Sequence, residues 1–183
     1  MTRQLQLESL QKNLLYVMQE MQLKIGISGE SVKFYYPLDE LNGFFAADYS
    51  VEEMTEALKS FQEYIKNSLG EIKISVDGKR FCFVIGQKGI DYARNELKNH
   101  PFLAEFIALT KSACTLDDVL NLFRKYSNDV VCKEVDNEEF DHLVYFANGE
   151  PDNFYYCLQF EFDHMHYHRF TPQDFKAFGF EIE

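Results

Sequence analysis

At 183 residues, 46% hydrophobic and with 18 Phe and 11 Tyr, the chain can bury sizeable cores and does not have the composition of a disordered segment. Eighteen basic against thirty acidic residues leave a formal net charge of −12. The imbalance sits late in the chain: residues 1–70 carry six basic and ten acidic side chains, residues 71–112 seven and five, and residues 113–183 five and fifteen. A surface of that sign repels phosphate backbones, which disfavours nucleic acid as a partner and suits cationic proteins or plain solubility.

The first residues lack the continuous apolar stretch of a signal peptide, and no run approaches the ~18 apolar residues of a membrane span, so a cytoplasmic protein without membrane contact is expected. Cys82, Cys114, Cys132 and Cys157 are dispersed with no C-x-x-C pair, which reads as reduced structural thiols. No Pro/Gly/Ser-rich linker or internal repeat divides the chain, and no feature of the sequence sets an oligomeric state.

In chain order, residues 5–25 predict a helix. Leu7, Leu10, Leu14, Val17 and Met21 at 3-4-3-4 spacing give it one apolar seam, suited to docking on its own core. Residues 31–36 alternate as a strand closed by Pro37, and a short helix over 38–46 follows. Ser50 with Glu53 makes a capping-box pattern ahead of Val51, Met54, Leu58, Phe61, Ile65 and Leu69, so a helix over 51–69 is expected. Asp77-Gly78 between apolar runs predicts a hairpin over 71–85 with positive φ at both central residues. A turn at Gly86–Gly89 then leads into a helix over 89–98. Pro101 opens a helix through Lys111, and Thr115 caps another over 116–126, with Asp117 and Asp118 in its first turn. Residues 130–135, 140–147 and 154–168 read as strands. Phe140, Val144 and Phe146 are expected on one face, and pairing that face with the one of Phe154, Tyr156 and Leu158 requires an even register, for example Val144 opposite Tyr156. Thr171-Pro172 starts a final helical turn carrying Phe175 and Phe178.

The run from Val32 to Leu97 resembles a winged-helix domain, with residues 51–69 in the recognition-helix position and 71–85 as the wing. The resemblance implies DNA contact through that helix, but Glu52, Glu53 and Glu56 stand at its base-reading end. A structural or protein-contact winged helix is therefore expected. Ile85-Gly86-x-x-Gly89 is similar to the backbone-clamping loop of KH domains, but it follows a strand, where that loop joins two helices. Taken whole, SVKFYYPLDELNGFF and GKRFCFVIGQKGIDYA resemble an uncharacterised family of gut bacteria known as a domain of unknown function, which implies no activity.

For chemistry, the sharpest pattern is His164-Met165-His166-Tyr167-His168. A strand would put all three imidazoles on one face, continuing the row Leu158, Phe160, Phe162. Two His at i and i+2 can share one zinc or iron ion. His164 and His166 with Asp174 are the candidate metal ligands, whereas Asp163 points to the other face. The bland alternative is a strand leaving the core. His142, opposite Leu158, is too far along the strand to join them. Cys157 or Cys132 with a distant His could form a nucleophile pair, but no signature supports it. The Glu138, Glu139, Asp141 cluster reads as a solvated strand edge. No phosphate loop, nucleophile elbow, zincin or dinucleotide motif is present.

The expected fold is α+β: a helical, winged-helix-like part over 1–112, then an acidic lobe over 113–183 with an antiparallel sheet. The expected function is a protein-binding module that presents an acidic surface to a basic protein, without a cofactor. A metal-dependent enzyme centred on His164, His166 and His168, binding a divalent ion, is the second reading. A degenerate winged-helix regulator is the third.

Overall fold

A computed structural model describes residues 2–27, 29–135, 139–162 and 164–177, and the chain is α+β. Its contacts divide it into two units, Met1–Asn99 and His100–Glu183. The division falls before the helix of residues 101–109, earlier than the anticipated boundary after residue 112. The reason is packing: Phe102 and Phe106 of that helix lie against Phe123 and Tyr156 of the second unit.

In the first unit the elements run α1 (Arg3–Lys24), β1 (Ser31–Pro37), α2 (Leu38–Phe45), α3 (Val51–Leu69), β2 (Lys73–Asp77), β3 (Arg80–Gly86) and α4 (Gln87–Glu96), ending in a 3-10 turn at Leu97–Asn99. The strands form an antiparallel sheet in the order β1-β3-β2, with Tyr36 opposite Phe81 and Val76 opposite Phe81 from the other side. This is the anticipated element order. Alternation puts Tyr36, Phe81, Phe83 and Ile85 in the core with Met54, Leu58, Phe61 and Ile65 of α3. The Tyr36 and Phe83 rings meet edge-on at 5.1 Å.

Helix α1 joins this core through Leu7, Leu10, Leu14 and Met18. The seam thus turns at Met18, and Val17, expected inside, is 40% exposed, because a 3.6-residue repeat drifts off a strict 3-4-3-4 spacing. Polar ties fix the register of α1. Arg3 Nη2 donates to Ser60 Oγ at 2.7 Å, Gln11 Nε2 to Ser68 Oγ at 3.0 Å, and Tyr36 Oη to Asn13 Oδ1 at 2.8 Å. Helix α3 begins as read from sequence: Ser50 Oγ accepts from Glu53 N, and Ser50 N donates to Glu53 Oε2. In the β2–β3 hairpin, Asp77 pairs with Arg80, so Gly78 and Lys79 form the turn, and only Gly78 of the two has positive φ (+56°). The expectation of two positive-φ residues is corrected: Lys79 carries a side chain and stays out of that region.

Gly89 answers a different need. A Cβ there would lie 2.4 Å from Ile85 Cγ2 and 2.9 Å from the Leu69 carbonyl oxygen. Gly→Ala inside a helix ordinarily gains about 0.5–1 kcal/mol, but here α4 touches the end of α3, and a backbone oxygen cannot rotate away. Gly89→Ala is therefore expected to destabilise the first unit, by about 1–3 kcal/mol as overpacking does. Gly86→Ala, with open space around its Cβ position, should be close to neutral. Urea unfolding of the two variants side by side checks the contrast.

The second unit holds α5 (Pro101–Leu109), α6 (Leu116–Tyr126), β4 (Val130–Glu134), β5 (His142–Phe146), β6 (Tyr155–Glu161), β7 (His164–Phe170) and α7 (Pro172–Ala177). Thr115 caps α6 in a reciprocal box with Asp118. The sheet is antiparallel in the order β4-β5-β6-β7, and Val144 stands opposite Tyr156 as expected. The core lies between one face of this sheet and α5 and α6: Phe123 stacks on Phe146 at 4.8 Å, and Tyr156 meets Phe106 at 4.6 Å. The other face buries Leu143 and Cys157 with Phe140 and Phe175. Phe140, expected beside Val144, thus packs on the opposite face, because it precedes the strand and is free of its alternation.

The single strand expected over 154–168 is corrected to a hairpin. β6 ends at Glu161, Phe162 is in a turn, and β7 returns from His164. Phe162 sits at φ +53°. Asp163, Glu138 and Phe178 lie outside the described residues.

Candidate functional site

The turn at Phe162 decides where the histidines point. In the β6–β7 pair, Glu161 stands opposite His164, Gln159 opposite His166 and Cys157 opposite His168. Opposed residues share a face, so the row faces with Gln159 and Glu161, not with Leu158 and Phe160 as expected. Met165 is buried beneath, on the face of Phe160, while His164, His166 and His168 are all exposed. Among the described residues β7 is the last strand of the sheet, and the row is exposed. The His168 ring lies against Phe170 at 6.1 Å, nearly parallel.

Asp174, the proposed third ligand, is engaged elsewhere. Thr171 Oγ1 donates to Asp174 Oδ2 at 2.6 Å and accepts from Asp174 N at 3.1 Å, a capping arrangement that opens α7. Among the described residues no group of three or more His, Cys, Asp or Glu is gathered so as to hold a metal ion. The histidine row therefore offers imidazole pairs on one strand, with Glu161 opposite His164.

The same hairpin ends in a second feature. At the end of the sheet where β4 finishes and β5 begins, Glu134, Glu139, Asp141 and Glu161 are exposed. Asp141 anchors that end: its backbone N donates to Leu158 O at 2.8 Å, and its Oδ2 accepts from Phe160 N at 3.2 Å. Beyond Glu161 the Phe162 side chain is fully exposed, at 109% of its reference area. Sequence reading placed Phe162 in a buried row, and no sequence signal marks a turn there, since a bulky residue with φ above zero is uncommon.

Cations of this unit are largely tied up internally. The Arg169 side chain is 2% exposed, its Nη2 is 3.5 Å from Asp152 Oδ2, and its guanidinium lies 4.0 Å from the Phe154 ring centre. Tyr156 Oη donates to the same Asp152 oxygen at 2.8 Å. Lys125 Nζ pairs with Glu105 at 2.6 Å, and Tyr126 Oη donates to it at 3.0 Å. Hydrogen bonds from Lys125 and then Tyr126 hold the Glu105 carboxyl below the usual carboxylate range.

Of the two cysteines considered as nucleophiles, Cys157 stands opposite His168 across the β6–β7 pair, with the thiol buried and the imidazole exposed. Cys157 is fully buried, and desolvation pushes its thiol up to about 12, so it stays protonated and unreactive. Cys132 is exposed on β4. In native protein, labelling with a thiol-disulfide reagent should modify Cys132 and spare Cys157 until denaturant is added. Mass spectrometry of the labelled peptides reads this, and early labelling of Cys157 would contradict its burial.

On the first unit, both lysines of α3 face carboxylates: Lys59 Nζ is 2.5 Å from Glu56 and Lys66 Nζ 3.3 Å from Glu71. A groove of about 410 Å³ runs beside them, lined by Gln62, Glu63 and Ile72 among others. No described helix is long and apolar enough to cross a membrane.

The class defined by this geometry is an α+β protein of two units, the second an acidic antiparallel sheet backed by helices. Residues 7–179 match the family described as "Domain of unknown function, E. rectale Gene description (DUF3877)", and the chain belongs to that family. No curated protein and no solved structure matches it.

Proposed function

We propose that the protein is a cytoplasmic binding module whose second unit docks a basic protein partner at the Phe162 end of its sheet. The observation that carries this is one place: a fully exposed Phe at positive φ, on a sheet end that bears Glu134, Glu139, Asp141 and Glu161. Holding an L-residue in the left-handed region costs roughly 1–2 kcal/mol, and an exposed ring returns nothing to the fold. Backbone outliers of this kind cluster where chains meet ligands. An aromatic anchor inside a charged rim is the usual anatomy of a protein contact. The unit's charge fits, since residues 100–183 hold six basic and sixteen acidic side chains against twelve and fourteen in residues 1–99. Acidic rims act mainly by steering and selecting cationic partners.

The test is affinity capture from bacterial lysate with purified protein, its Phe162→Ser variant, and a Glu134→Gln/Glu139→Gln/Glu161→Gln variant. A basic protein should be retained by the parent, released as salt rises, and lost from both variants. Capture that ignores both salt and the substitutions would remove the proposal. The winged-helix regulator reading has less support, because both α3 lysines are matched by carboxylates and Glu53 caps its own helix.

A further inference from the structure

We infer that the β7 edge binds one late first-row divalent metal ion through His166 and a neighbouring imidazole of its row. This borders the proposed partner surface at Glu161 but rests on the histidines rather than on Phe162. Cα atoms two residues apart on a strand are about 6.6 Å apart, and their side chains leave the same face. Two imidazoles at that spacing can converge on one ion, whose bonds to nitrogen are about 2.0–2.1 Å long. His166 is the shared member of both pairs, with His164 on one side and His168 on the other, and all three side chains are exposed. Its cross-strand neighbour is the neutral Gln159, while Glu161 opposite His164 adds negative charge on the same face. Imidazole donors suit nickel, copper and zinc, and a unit of strongly negative charge raises the local concentration of any cation.

Two protein donors make the site a chelate, with its remaining positions filled by water or by a donor from another molecule. The arrangement differs from the ligand set read in sequence: Asp174 is replaced by the histidine spacing alone, since its carboxylate caps α7.

The test uses nickel(II), which leaves thiols unoxidised, on tag-free protein carrying Cys132→Ser to remove the exposed thiol. Calorimetric titration should show one saturable site. His166→Ala should weaken it at least about tenfold by taking one of two ligands, while His100→Ala, on α5's first turn boundary, should leave it unchanged. Circular dichroism confirms that the variants are folded, as expected for an exposed edge residue. Absence of saturable binding overturns the inference, and so does binding that survives His166→Ala or falls equally with His100→Ala.

Discussion

Asp152→Ala is expected to destabilise the second unit by about 3–5 kcal/mol, the cost of leaving a buried charge without its partner. The Asp152 carboxylate and the Arg169 guanidinium are 9% and 2% exposed, so water cannot replace the lost contact at either side. Tyr156 Oη would lose its acceptor in the same step. Arg169 also lies over the Phe154 ring at 4.0 Å, so the guanidinium would stay buried there after losing its Asp152 contact. Removing both charges is a different experiment. Asp152→Ala/Arg169→Met takes the ions away together, and a well-packed apolar pair in place of buried charges is often neutral. The double variant should therefore lose less than the sum of its single variants, with the difference read from urea midpoints in a double-mutant cycle. Additive losses would mean that the two side chains are stabilised independently. Asp152 Oδ1 is buried without a hydrogen-bond partner among the described residues, so the network is incompletely satisfied. Its contribution is better described as fixing the β6–β7 end in one arrangement than as raising stability.

The second large effect is expected at Phe123. Its side chain is fully buried and touches four rings: Phe102 at 4.9 Å, Phe106 at 6.2 Å, Phe146 at 4.8 Å and Tyr156 at 5.2 Å. Phe123→Ala removes apolar area and leaves a cavity walled by stiff aromatics that cannot collapse into it, costing about 3–5 kcal/mol. Phe162→Ala deletes the same atoms from solvent and should change stability by less than about 0.5 kcal/mol. Thermal or urea unfolding followed by circular dichroism separates the two outcomes. Similar losses in both variants would mean that Phe162 is buried by something in solution, which bears directly on its proposed role as an anchor.

How much of this was legible depends on the range of the interaction concerned. Sequence alone determined what local chemistry controls: the caps at Ser50 and Thr115, Pro101 at the start of α5, the Gly78 turn, and the α+β order of elements. It also determined the parity of the β5–β6 pairing, because alternation and burial admit one parity, and Val144 opposite Tyr156 is a register of that parity. Those signals are carried by neighbours within a few residues. What escaped it is set by partners distant in sequence. The tight approach at Gly89 comes from Leu69 and Ile85, and Arg169 reads as a surface cation until Asp152 and Phe154 close around it. The clearest case is the run 154–168, where an unbroken alternation of apolar residues gives no turn signal. Tertiary pairing folds it at Phe162, which reverses the face of the histidines, turns a supposed core aromatic into a fully exposed one, and leaves Asp174 to cap α7. Periodicity fixes which side chains share a face within one strand; only the contacts between strands decide where that strand ends and what its faces meet.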